Sequence, residues 1–263
     1  MMRKLQLARE ILRQDGVRGL ASQGFLLVLR KYASRIPLSR VKWSAGLKNE
    51  TDFWDDYFRT RGGEWPESYR LRLDPEQPLQ PRPAALLPER AEVEILDVGA
   101  GPMSYLGKKL PGRTLDITAV DPLADHYTRI LKKYAVSPPV RTQKLAAEQL
   151  TSRFLANQFD LVFARNCIDH SYNPEAAILQ MVTVVKPGGW VLLEHAPNEA
   201  EKESYRGLHQ WNFSMAPDGH FLIQSRHGRV DMTAKYADRC TITCELGHED
   251  GVGEWLVTRI LKK

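Results

Sequence analysis

The chain has 263 residues, of which 43% are hydrophobic and 26% charged, an ordinary balance for a soluble globular protein with one full-sized core and room for an accessory subdomain. No apolar run approaches the roughly 18–20 residues of a membrane-spanning helix, and Phe25 to Leu29 is too short for a signal-peptide core and lacks a following cleavage site, so a cytoplasmic protein is expected. The net charge of +5 is uneven: residues 1–48 hold eleven Lys or Arg against Glu10 and Asp15, which leaves the remainder mildly acidic.

That basic segment, 1–48, reads as an N-terminal extension of one or two amphipathic helices. Met2, Leu5, Ala8, Ile11 and Leu12 recur at helical spacing, Gly16 to Gly19 interrupts, and Leu20 to Tyr32 resumes the pattern. Such a helix suits peripheral contact with an anionic membrane or a polyanionic partner, or packs on the core as a solvated helix. Residues 49–90 are aromatic and proline-rich, a lid or linker: Thr51 is placed to cap a short helix with Phe53, Trp54, Tyr57 and Phe58 on one face. Five prolines between Pro75 and Pro88 predict an extended stretch after it.

From Val93 the pattern becomes alternating strands and helices, within a domain assigned to residues 91–263. Strands are predicted at Val93 to Val98, Ile117 to Asp121, Phe159 to Phe163 and Trp190 to Glu194. Asn173-Pro174 supplies an N-cap and first helical residue, and Lys186-Pro187-Gly188-Gly189 stops that helix. This order implies a doubly wound parallel sheet. Cys240 to Leu246 and Glu254 to Leu261 predict a closing antiparallel pair. Cys167, Cys240 and Cys244 are odd in number and form no CxxC pair, which fits a reducing compartment.

Ligands bind such sheets at the carboxyl ends of the strands. There Asp97-Val-Gly99-Ala-Gly101-Pro102 puts two glycines directly after the first strand, where a ligand must approach the backbone closely. Asp121 ends the second strand, placed to accept hydrogen bonds from a ribose diol. The GxGxxG pattern of pyrophosphate binders is broken, because Ser104 stands at the third glycine position. A carboxylate beside the loop, Asp97, instead suits a ligand carrying an amino group and a sulfonium.

With these residues the sequence resembles the class I, Rossmann-like S-adenosylmethionine-dependent methyltransferases of the small-molecule "type 11" kind. EILDVGAGP is similar to their first motif, VDP at 120–122 to their second, FDLVFARNCIDHSYNP to the fourth-strand motif, and VKPGGWVLLEH to the entry of the fifth strand. The resemblance runs from Glu94 to Glu194. It implies an α/β fold with a mostly parallel seven-stranded sheet, S-adenosyl-L-methionine as cofactor, and Asp97, Gly99, Gly101, Asp121 and Asn166 around the donor. Ala146 stands where many members carry an acid, so either Glu148 serves the adenine or backbone and apolar contacts do.

Methyl transfer from a sulfonium needs alignment and exclusion of water, and an oxygen acceptor usually needs a base. His170 follows the fourth strand, His195 the fifth, and His209 lies just beyond. With Asp169, Asn198 and Glu199 they are expected to line an acceptor pocket, His170 being the first candidate base, His195 the second, and Asp169 the orienting group. Asp169, His170 and His195 match no familiar ligand spacing, so no metal is assigned. The resemblance implies O-methylation of a small molecule or glycan. The alternatives are an RNA methyltransferase using the basic arm, and a non-enzymatic binding protein of the same fold. The Asn/Asp-Pro-Pro-Tyr/Phe motif of base-methylating enzymes is missing, and no proline precedes Cys167 as it does the nucleophile of many cytosine-C5 enzymes. Nucleic acid is therefore not the expected substrate.

Overall fold

The computed structural model describes residues 38–249 and 253–263; most of the basic extension, and the membrane contact expected of it, lies outside them. Among the described residues, ten strands form two sheets. β1 (Glu92–Val98), β2 (Thr114–Asp121), β3 (Thr142–Lys144), β4 (Phe159–Arg165), β5 (Val185–His195), β9 (Cys240–Glu249) and β10 (Gly253–Lys262) build the larger one, in the order β3-β2-β1-β4-β5-β10-β9. β1 to β5 pair in parallel, and β10 runs antiparallel to both β5 and β9. This is the sheet expected from the sequence. The strand order turns back between β1 and β4, so a crevice opens at their carboxyl ends.

Burial explains the strand composition. Every residue of β4 from Phe159 to Ala164 is buried, as a central parallel strand covered on both faces requires. One side of the sheet packs Leu96, Val98, Val162 and Leu193 against Ala177, Ile178 and Met181. The other packs Ile95, Leu161, Phe163 and Leu192 against Leu79 and Leu87.

Helix α1 (Leu38–Arg59) runs straight through the position where a helix was expected to begin. Thr51 does not cap; its hydroxyl donates to the Lys48 carbonyl one turn back at 2.9 Å, as an interior residue does. Tyr57 and Phe58 of α1 are buried with Met103, Tyr127 and Ile130. Pro66 opens helix α2 (Pro66–Leu73), because a first-turn proline forfeits no intrahelical bond. The proline-rich stretch is interrupted by the single turn α3 (Pro81–Ala84) for the same reason. Helix α4 (Ala124–Lys133) follows β2, and α5 (Pro174–Val184) precedes β5. α5 begins as its sequence predicts, with Asn173 Oδ1 accepting the Ala176 N–H at 3.1 Å. After a single turn, α6 (Glu199–Lys202), β6 (Asn212–Met215), β7 (Phe221–Ser225) and β8 (Gly228–Asp231) make a small antiparallel sheet. Strands of four and five residues carry too little periodicity to be read in advance.

At the amino edge of the large sheet, the buried Asp160 carboxylate is fully engaged. Lys186 Nζ lies 3.1 Å from Oδ1, Arg90 pairs with the same oxygen, and the Glu94 N–H donates to Oδ2 at 2.9 Å. Among the described residues no helix is long and apolar enough to cross a membrane.

Candidate active site

The crevice floor is the turn after β1. Gly99 and Gly101 sit at φ +69° and +62°, in the left-handed region that favours glycine. Their missing side chains also make room. A Cβ at Gly99 would lie 2.4 Å from Cys167 Sγ, and one at Gly101 would lie 2.7 Å from the Trp54 indole. Trp54 is held by α1, its Nε1 donating to Glu50 Oε1 at 2.7 Å.

Two buried carboxylates flank this floor. Asp97, at the end of β1, accepts the Ser104 hydroxyl at 2.6 Å. Burial pushes its pKa up to about 6, against the pull of Ser104 and the Arg72 charge. Asp121, at the end of β2, accepts the Leu123 N–H at 2.8 Å and the Gly101 N–H at 3.2 Å. Burial pushes it up to about 7, with the nearby Glu50 charge adding to the rise. Ser104, which breaks the dinucleotide fingerprint, thus has a task of its own. Two carboxylates repel a pyrophosphate but complement an amino group, a sulfonium and a ribose diol, so the donor set fits S-adenosylmethionine.

Asn166 directly follows β4, at φ +47°. Its N–H donates to the Glu194 carbonyl at 2.8 Å and its Oδ1 accepts the Ala196 N–H at 3.2 Å, so it ties the ends of β4 and β5 together beside the crevice. Glu148 lies in the turn after β3, and its Oε1 accepts the Asn173 N–H at the start of α5 at 3.1 Å.

Asp169, His170, Glu199 and His209 converge beyond β4. His170 Nε2 is 3.1 Å from His209 Nδ1 and 3.5 Å from Asp169 Oδ2. His209 Nδ1 is 3.8 Å from Glu199 Oε1. Asp169 is 1% exposed, and burial raises it to about 7. Burial, helped by the Asp169 charge, raises Glu199 to about 7 as well. His209 is lowered, by burial and then by the His170 charge. His195 stands on the far side of Asp169, its Nε2 3.6 Å from Asp169 Oδ1. That nitrogen accepts the Ile168 N–H at 3.2 Å, so the ring proton resides on Nδ1. Burial drops the His195 pKa to about 3, which leaves it a neutral acceptor bracing the β4 loop. The Cys167 thiol donates to the Val98 carbonyl at 3.1 Å, and burial pushes its pKa well up.

Three neighbours of the crevice escaped the sequence reading as site residues. Glu50 and Trp54 belong to a helix whose aromatic pattern suggests packing as readily as a lid. Arg72 of α2 donates to the Met103 carbonyl at 2.8 Å, its guanidinium lies 5.8 Å from the Trp54 ring centre, and burial lowers its pKa. Placed where its charge acts on Asp97, it is the cation suited to a carboxylate at the methionyl end. Nothing in its local sequence marks it, because the contact is thirty-one residues distant.

Residues 96–193 match the family described as a methyltransferase domain. The chain is 29% identical over 99 residues to a ubiquinone biosynthesis O-methyltransferase of Bordetella avium, covering 37% of this chain and 40% of that protein. A protein of the same description from Chromobacterium violaceum is 29% identical over 100 residues, covering 37% and 42%. The chain thus spans about two fifths of the length of the curated relatives it matches. Among solved structures, the complex between the Haloferax volcanii Trm112 methyltransferase activator and the putative methyltransferase contains a chain similar over 81% of this one and 96% of its own length. Its TM-score is 0.50 and its identity 12%. The fold is the class I, Rossmann-like one, and residues 96–193 of it are similar to a methyltransferase domain.

Proposed function

We propose that this S-adenosylmethionine-dependent methyltransferase methylates a hydroxyl oxygen of a small molecule or glycan. One observation carries the reading: the donor carboxylates and a cluster of two histidines and two carboxylates share the same carboxyl edge of the sheet. S-adenosylmethionine, when bound, supplies a methyl group on a cationic sulfur. Asp121 would hold its ribose hydroxyls, and Asp97 and Arg72 its amino and carboxylate groups. Trp54 covers the glycine turn and keeps water from that end of the crevice, which strengthens each polar contact inside. The Asp169–His170–Glu199–His209 cluster faces the acceptor side and takes charge of the hydroxyl proton.

Transfer to oxygen also agrees with the curated relatives, which are named as O-methyltransferases. The neutral, buried Cys167 thiol does not suit covalent activation of a base. The test is incubation of the full chain with methyl-labelled S-adenosylmethionine and separate panels of phenols, sugars and RNA. Label is expected in an alkali-stable methyl ether of a small hydroxyl compound. Label in RNA, or on nitrogen, overturns the reading.

A further inference from the structure

The acceptor-side cluster is built as no hydrogen-bonded cluster of its size needs to be. Asp169 is 1% exposed, yet neither of its carboxylate oxygens has a hydrogen-bond partner, and buried Glu199 Oε2 has none either. A buried carboxylate oxygen without a partner keeps the full cost of its lost hydration. His195 does nothing to relieve it, since its facing nitrogen is already an acceptor for Ile168. Two acidic side chains crowded at one buried point call for a shared proton or a bound cation between them.

One ligand atom from each of Asp169, His170, Glu199 and His209 lies within 4.8 Å of every other. The close pairs stand at 3.1, 3.5 and 3.8 Å. A tetrahedral ion with bonds of about 2.0–2.2 Å sets its ligands about 3.3–3.6 Å apart. Three of the six edges match such a polyhedron to within a few tenths of an ångström, and the other three pairs lie within 4.8 Å. We propose that Asp169, His170, Glu199 and His209 bind one divalent transition-metal ion at the acceptor side of the crevice. Two imidazoles select a borderline ion of the zinc or manganese class over magnesium or calcium, which prefer all-oxygen sets.

The ligands come from two loops. Asp169 and His170 follow β4, and Glu199 and His209 follow β5, so their spacing is no familiar metal motif. Asp169 is sealed, whereas the His170, Glu199 and His209 side chains are 17%, 18% and 26% exposed, so one side of the ion stays open. If the oxygen-acceptor reading above holds, that side takes the acceptor hydroxyl. The ion then favours loss of its proton to solvent, and the resulting alkoxide forms the new C–O bond as the methyl–sulfur bond breaks to a neutral thioether. His170 is then a ligand, not a free base.

The existence of the site is separable from its use. The full chain, stripped with a chelator, is titrated with zinc or manganese and then with adenosylhomocysteine. One ion per chain is expected for the wild type. His209→Ala and Asp169→Asn should each weaken metal binding at least about 100-fold while leaving adenosylhomocysteine affinity unchanged, which also reports that the variants are folded. Absence of stoichiometric binding, or equal binding in wild type and both variants, overturns the site. A magnesium-only response overturns the choice of ion. Stoichiometric zinc or manganese binding without any O-methylation leaves the site standing and removes the acceptor reading.

Discussion

The two edges of the large sheet handle buried charge in opposite ways. At the amino edge, Asp160 is met by Lys186, Arg90 and a backbone N–H, so both its oxygens are engaged. At the carboxyl edge, Asp169 is equally buried, closes no hydrogen bond of ordinary length, and faces two imidazoles and the Glu199 carboxyl group where Asp160 faces Lys186 and Arg90. A buried charge that stabilises a fold is paired, and breaking the pairing costs several kcal/mol. One left unpaired is a cost that the fold tolerates for what binds there. The sequence motif gives Asp169 and Asp160 no such distinction; the partners do.

Neutralising each carboxylate should therefore have opposite consequences. Asp169→Asn should lower turnover by at least about 10²-fold and raise the melting temperature of the metal-free protein by about 2–4 °C, equivalent to roughly 1 kcal/mol. A fall in melting temperature would mean that Asp169 is paired after all. Asp160→Ala leaves Lys186 with Glu94 alone and takes the carboxylate from Arg90 and the Glu94 N–H, and should cost about 2–3 kcal/mol, or roughly 4–12 °C. Donor affinity measured below the melting range should not change. A change there would place Asp160 in the chemistry.

The two carboxylates beside the glycine turn, proposed to hold the donor, sharpen the contrast through pH. Burial raises Asp97 to about 6 and Asp121 to about 7, above unfolded values of about 3.9. Their contribution to the stability of the donor-free protein is complete below that value and is lost as pH climbs through 6 to 7. On the proposed role of Asp121, ribose hydroxyls favour its ionised form, so adenosylhomocysteine affinity should rise about tenfold from pH 6 to pH 8. Calorimetry at fixed ionic strength checks this, and a flat or falling profile contradicts it. The smallest effect is expected at Glu148, whose Oε1 already serves the Asn173 N–H. Glu148→Ala should cost about 1 kcal/mol of stability and change donor affinity less than about threefold. A tenfold loss of affinity would put Glu148 in the donor site.

The parallel sheet was legible because buried strands are apolar runs ended by glycine or aspartate, as in Val93 to Gly99, and because Asn173-Pro174 caps a helix by purely local chemistry. The placement of Asp97, Gly99, Gly101 and Asp121 at the carboxyl edge was legible for the same reason, since each stands at a strand end or in the turn that follows it. What the sequence hid depends on distant contacts. The start of α1 is not marked by Thr51, since one hydroxyl serves a cap or an interior bond equally well. Arg72 reaches the crevice only because α2 packs beside the β1 turn. Glu199 and His209 were visible as pocket residues, but their meeting with Asp169 and His170 depends on how the loop after β5 folds back. Ligand spacing along the chain carries no trace of that.

The central claim is that the carboxyl edge holds S-adenosylmethionine, with Asp121 on the ribose. Calorimetric titration of adenosylhomocysteine into the wild type and Asp121→Ala at pH 8 tests it most directly. Charge-assisted hydrogen bonds of roughly 1.5–3 kcal/mol each predict stoichiometric binding by the wild type and at least tenfold weaker binding by the variant. Equal affinity in the two proteins, or tight binding of a nicotinamide dinucleotide by the wild type, would contradict the account.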